Sequence, residues 1–226
     1  MPNRTMRGTA GLVFHVLNRG VRRLRLFDHD GDYDAWLRCF ASAQRRVPIE
    51  VFAYCLMPNH FHLVVRPTED GHLADFMRLA TVTHAKRWHE HRGTSGTGSV
   101  YQGRYKAFPV QTDRYFLSVC RYVESNALRA RLVERAEQWR WSSLADRGKN
   151  FNFFDLTEWP ILRPSNWTAL VNEVPAQVDV DRLRLSVKRN APLGDFEWQV
   201  RTAESLGLWS AFRRQGRPKR TSGVVF

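Results

Sequence analysis

His60 and His62 stand one residue apart in the run Leu56–Arg66, whose other members include Phe61, Leu63, Val64 and Val65. In a β-strand, alternate side chains leave on the same face about 7 Å apart, so the two imidazoles share one face and Phe61, Leu63 and Val65 take the other. Two imidazoles side by side make half of a metal site. A second pair, Tyr122 and Asn126, is four residues apart in a segment of helical periodicity, which stacks a phenol and an amide on one helix face. Such a phenol could act as a nucleophile, and the amide oxygen as a third ligand. Tyr115, two helical turns earlier on nearly the same face, is the rival phenol, but it has no amide four residues downstream.

The rest of the chain limits the partners these groups can have. Lys and Arg outnumber Asp and Glu by 35 to 22, a formal charge of +13, and the pI is near 10.5, which favours a polyanion over an acidic small molecule. Nucleic acid leads, with anionic membrane second. Cys39, Cys55 and Cys120 are scattered among apolar neighbours, without the short spacings of a zinc ribbon or a disulfide framework, and suggest buried thiols in a reducing compartment. No run approaches the eighteen or so apolar residues of a membrane span, and a cytoplasmic location is expected.

The elements that must position these residues follow from periodicity. Strands are expected over residues 11–18, 49–56, 60–66 and 104–110, and helices over 32–46, from Gly71 to about Arg92, and from Thr112 to about Val133. Met57, Pro58 and Asn59 supply the turn of a hairpin that presents the histidines. Thr112 and Asp113 are suited to cap the last helix, whose apolar stripe is Phe116, Val119, Cys120, Val123, Ala127 and Ala130. The order β, α, β, β, α, β, α predicts an α+β, ferredoxin-like (RRM-like) antiparallel sheet with helices on one face, plus a small basic C-terminal extension. Between Arg182 and Arg220, ten basic residues stand against three acids, which gives that extension its basic character. His84, His89 and His91 have no cysteine or carboxylate in convincing metal spacing and suggest a solvated helix end.

The motif around His60, Phe61 and His62, together with Arg121, Tyr122, Val123, Glu124, Ser125, Asn126, Arg129 and Ala130, resembles the IS200/IS605-like (Y1) transposases of the HUH class. It is most similar to REP-associated tyrosine transposases, which also carry a segment like Trp141, Ser142, Ser143 and a run like Gly103, Arg104, Tyr105, Lys106. Ala127 stands where that family often has proline. The resemblance spans roughly residues 8–145. It implies a catalytic domain over 1–147, a linker or packed extension over 148–181 and a basic DNA-binding tail over 182–226.

Carried over by position, the resemblance implies a single-stranded DNA endonuclease and strand transferase acting at or near hairpins. Tyr122 would be the nucleophile of a 5′-phosphotyrosine intermediate, His60, His62 and Asn126 would hold a divalent cation, and Arg104, Lys106, Arg121 and Arg129 would contact DNA. Ligand type alone leans toward zinc; the resemblance implies Mg²⁺ or Mn²⁺. A non-cleaving protein that binds single-stranded DNA or RNA hairpins is the alternative.

Overall fold

Four antiparallel strands make one sheet: β1 (Val13–Arg19), β2 (Ile49–Met57), β3 (His60–Pro67) and β4 (Lys106–Val110), in the spatial order β2-β3-β1-β4. The computed structural model describes residues 8–147, 155–175 and 177–212, so the basic run Gly216–Arg220 lies outside the described residues. Helices α1 (Asp30–Gln44) and α2 (His72–Arg92) link β1 to β2 and β3 to β4, which completes the ferredoxin-like βαββαβ order of an α+β fold. Pro58 and Asn59 form the two-residue turn between β2 and β3, where proline's fixed φ and missing N–H do no harm.

Alternation then sorts the side chains. Phe14 and Val16 of β1 and Phe61, Leu63 and Val65 of β3 face α1 and α2, where they pack with Trp36, Phe40, Phe76 and Met77. Their neighbours, His15 and Leu17 on β1, His60, His62 and Val64 on β3, and Phe108 and Val110 on β4, take the opposite face. That face is also covered by helices. Helix α3 (Arg114–Glu124) lays Phe116, Val119, Cys120 and Val123 against it, as its apolar stripe predicts, and residues C-terminal to Asp155 add Trp159, Trp167, Val171, Leu183 and Leu193. Helices on one face thus describes α1 and α2 alone. A register slip between Val51 and Ala53 leaves Phe52 as an extra residue of β2 and turns its ring onto this second face, edge to Phe116 at 5.5 Å.

The helix expected from Thr112 to Val133 is two helices. Asp113 caps α3, its side chain accepting from the Tyr115 N–H, but α3 stops at Glu124, and a short α4 (Asn126–Arg129) follows across Ser125, whose ψ is 2°. The Ser125 hydroxyl bonds back to the Tyr122 carbonyl, a local competitor to the helical ladder. Arg131, at φ 58°, ends α4 in the left-handed region. Among the described residues four further α-helices follow: α5 (Ser143–Asp146), α6 (Trp167–Asn172), α7 (Gln177–Arg189) and α8 (Phe196–Leu206).

Both outer strands have partners along their free sides. On β2, Leu56 N–H donates to Trp141 O, Tyr54 N–H to Ser143 Oγ, and the Phe52 and Val51 carbonyls accept from Trp159 Nε1 and Thr157 N–H. On β4, Leu193 N–H donates to Pro109 O and Gln111 N–H to Leu193 O. Gly194 packs closely under Trp198, since a Cβ there would lie 2.5 Å from Cε3 of that ring. Among the described residues no helix is long and apolar enough to cross a membrane, and all three cysteines are buried and free.

Candidate active site

The second sheet face brings the histidine pair and the tyrosine together. His62 lies opposite Leu17 in the β1–β3 register and diagonal to His15, which pairs with Val64. Diagonal neighbours on one face are within reach of long side chains. His15 Nε2 and His62 Nδ1 are 2.8 Å apart, and the rings stack at 5.0 Å and 24°. His60 continues the row, its ring 5.1 Å from that of His62 at 83°. Across from them, the Tyr122 ring lies 6.0 Å from His62 and 6.2 Å from His15, edge-on to both. Tyr115 is buried elsewhere on α3, with the guanidiniums of Arg114 and Arg182 over its ring.

Spacing alone does not single out His15. Its signal was a lone imidazole in an otherwise apolar strand, which alternation alone cannot connect to a residue 47 positions away.

Asn126 is brought beside Tyr122 by Arg129 rather than by one unbroken helix. The Arg129 guanidinium lies 3.8 Å from the centroid of the Tyr122 ring, and its Nη2 donates to Asn126 Oδ1 at 2.8 Å and to the Tyr122 carbonyl at 3.1 Å. Asn126 is buried and its Nδ2 has no partner. The other basic residues differ in their surroundings. Arg104 and Lys106 are exposed, with Lys106 Nζ donating to Val187 O at the end of α7. Arg121 donates to Glu173 O and lies 3.7 Å from its carboxylate. His84 is buried and bonded to the Tyr101 hydroxyl, which corrects the expectation of a solvated helix end there.

Burial sets the charge of the histidine row. It pushes His15 down to about 3 and, with Arg19 and Arg129 nearby, His60 down to about 4. His62 falls well below its ordinary value through burial, reinforced by His15, His60 and Arg129. All three rings are therefore neutral near pH 7, the form in which imidazole ligates metals.

Among the described residues, no three His, Cys, Asp or Glu side chains gather so as to hold a metal ion, and the three histidines form a row rather than converge. His60 Nδ1 donates to Asn59 Oδ1 at 2.7 Å, and His62 Nδ1 is taken by His15. Each ring thus keeps Nε2 for another partner, the usual arrangement of metal-ligating histidines. The free Nε2 atoms of these two residues fit a divalent cation, and the Asn126 oxygen keeps a second lone pair beside the bond it accepts from Arg129.

Comparison with known proteins agrees with this architecture. A REP-associated tyrosine transposase solved with a REP hairpin aligns over 71% of this chain and 95% of its own, at 18% identity and a TM-score of 0.50, which establishes a common fold. A proposed transposase from Deinococcus radiodurans R1 aligns over 58% of this chain and 92% of its own, at 17% identity and a TM-score of 0.38. No curated protein matches the chain. The family model of IS200-like transposases matches residues 9–126, just over half of the 226 residues and the stretch that holds β1 through Asn126, so the chain belongs to the IS200-like transposase family.

Proposed function

We propose that this protein cleaves and rejoins single-stranded DNA at or near hairpins, with Tyr122 as its nucleophile. The observation that carries the reading is the Tyr122 ring 6.0 Å from His62 of the same chain, each histidine of the His60–His62 pair having its Nδ1 engaged. A hairpin partner is further suggested by the structural relative that was solved with one.

In this reading the Tyr122 oxygen attacks the scissile phosphorus in line and gives its proton to water, the bond from phosphorus to the 3′ oxygen breaks, and that oxygen takes up a proton from water to leave as a free 3′-OH. The resulting 5′-phosphotyrosine keeps the energy of the phosphodiester, so a 3′-OH can attack it and restore a strand without nucleotide hydrolysis. His60, His62 and Asn126 would hold Mg²⁺ or Mn²⁺, which when bound polarises the phosphate as a Lewis acid. Arg129 keeps the tyrosine ring and the amide in register. Arg104 and Lys106, exposed at the start of β4, would meet the DNA backbone; Arg121, engaged with Glu173, would do so only on releasing it.

The test is incubation with labelled single-stranded hairpin oligonucleotides from the flanks of the protein's own gene, with Mg²⁺, Mn²⁺ or chelator, followed by denaturing gels. A metal-dependent covalent species that maps to Tyr122 and is lost in Tyr122→Phe, which still binds the hairpin, is the expected result. Tight binding without any adduct under either metal would instead support a hairpin-binding protein that does not cleave.

A further inference from the structure

His15 is fully buried at the centre of β1, between Phe14 and Val16, and the chemistry above gives it no task. A buried polar ring costs free energy unless it is hydrogen-bonded. Of its two nitrogens only Nε2 has a partner, His62 Nδ1 at 2.8 Å, while Nδ1 has none. If the position served packing alone, an aliphatic side chain would do so without stranding a nitrogen. The single bond to His62 is what an imidazole adds here.

A hydrogen bond between two neutral imidazoles has two proton arrangements. In one, His62 Nδ1–H donates to His15 Nε2, and His62 Nε2 carries a lone pair. In the other, His15 Nε2–H donates, His62 Nε2 holds the proton, and His62 cannot ligate. His60 needs no such choice, because Asn59 Oδ1 can only accept and so fixes the proton on His60 Nδ1. The form that water favours for a neutral histidine, Nε2–H, is the second arrangement for both rings, so a cation at His62 Nε2 would select the first, and there His62 Nδ1–H needs the acceptor that His15 Nε2 supplies. The His15 ring is itself walled in, edge to Phe108 at 5.0 Å and edge to Tyr122 at 6.2 Å.

We propose that His15 is a positioning residue for the cation site: by accepting from His62 Nδ1–H it fixes the orientation of the His62 ring and satisfies the buried donor of the tautomer whose Nε2 can ligate. This rests on the reading of His60 and His62 as cation ligands. Partners that orient a metal-bound histidine typically contribute roughly ten- to hundredfold in metal affinity.

The test titrates Mn²⁺ into the full-length protein and counts free Mn²⁺ by electron paramagnetic resonance, without DNA or turnover. His15→Leu, close to histidine in volume, should weaken Mn²⁺ binding roughly ten- to hundredfold. His15→Gln, whose amide oxygen can accept the same bond, should recover most of the loss. An unchanged affinity in His15→Leu overturns the proposal. In parallel, imidazole ¹⁵N spectra of the Mg²⁺-loaded wild type should show His62 protonated at Nδ1, with a scalar coupling across the bond to His15 Nε2; protonation at His62 Nε2 overturns it. Should the wild type bind no Mn²⁺, the ligand reading of His60 and His62 fails by itself. The spectrum of the metal-free protein still decides for His15, because loss of that coupling would mean that His15 does not hold the ring.

Discussion

Arg129 spans the break at Ser125. Its guanidinium covers the Tyr122 ring, its Nη2 holds Asn126 Oδ1, and its Nε reaches Ser125 Oγ at 3.3 Å. A lysine would keep the charge but lose the planar fork that makes these contacts together. Arg129→Lys is expected to slow single-turnover cleavage by roughly one to two orders of magnitude, the cost of a misplaced reacting group, while hairpin affinity stays nearly constant. If affinity falls with the rate, Arg129 is a phosphate contact instead. At this scale the sequence exposes His60 and His62, because alternation within one strand needs no tertiary knowledge. It hides His15, because the diagonal contact with His62 exists only once the β1–β3 register is set. The phenol and amide are legible as a pair, yet the arginine that joins them is visible only as one basic residue among many.

Helix α3 is tied down at its last residue. Glu124 is fully buried and accepts from Ser143 Oγ and Trp167 Nε1, each at 2.6 Å, so the ends of α3, α5 and α6 meet at one carboxylate. Burial pushes that carboxyl above its ordinary range despite these bonds. Truncation would strand the buried Trp167 N–H, at a cost of about 1–3 kcal/mol, and leave the Ser143 hydroxyl to its longer alternative, the Tyr54 carbonyl at 3.3 Å. Glu124→Ala is therefore expected to lose about 2 kcal/mol in urea unfolding, and a loss below about 1 kcal/mol would show that the Trp167 N–H does not depend on Glu124. The stripe from Phe116 to Ala127 was legible because periodicity reports a docking face. The break was not, because a serine that bonds back to its own helix looks like any serine in a sequence. Nor did the irregular stretch near Trp159 and Trp167 announce that it covers a sheet, since its apolar residues follow no period.

For the molecule as a whole, the +13 charge predicts that hairpin affinity falls steeply as salt rises, with a slope set by the number of phosphates contacted. Acid should destabilise the metal-free fold. His15, His60 and His84 are held to about 3, 4 and 4, so the unfolded chain gains protons below its ordinary histidine value of 6.5 while the folded state does not. Stability is complete above 6.5 and lost as pH falls from there toward 4, by up to about 3 kcal/mol for His84 alone. Asp146, raised by burial to about 6, and Glu124, also raised by burial, work in the opposite sense, but two carboxyls against four histidines, His62 included, leave the net loss in acid. Calorimetry in chelator at pH 7.5, 6 and 5 should show a falling Tm; a flat profile would mean that these rings are accessible. Because Tyr122 faces histidines of its own chain, mixing Tyr122→Phe with His60→Ala should not restore adduct formation, whereas restoration would require tyrosine and histidines from different copies. The closed sides of β2 and β4 bear on how the protein survives at high concentration. An unpaired strand edge is a template on which a second chain can add, and here the segments after Trp139 and around Leu193 occupy that place on both flanks. Cutting the chain before α7 would strip Leu193 from β4 and open that strand edge, so the region beyond the matched family segment also closes the sheet's flanks to a second chain.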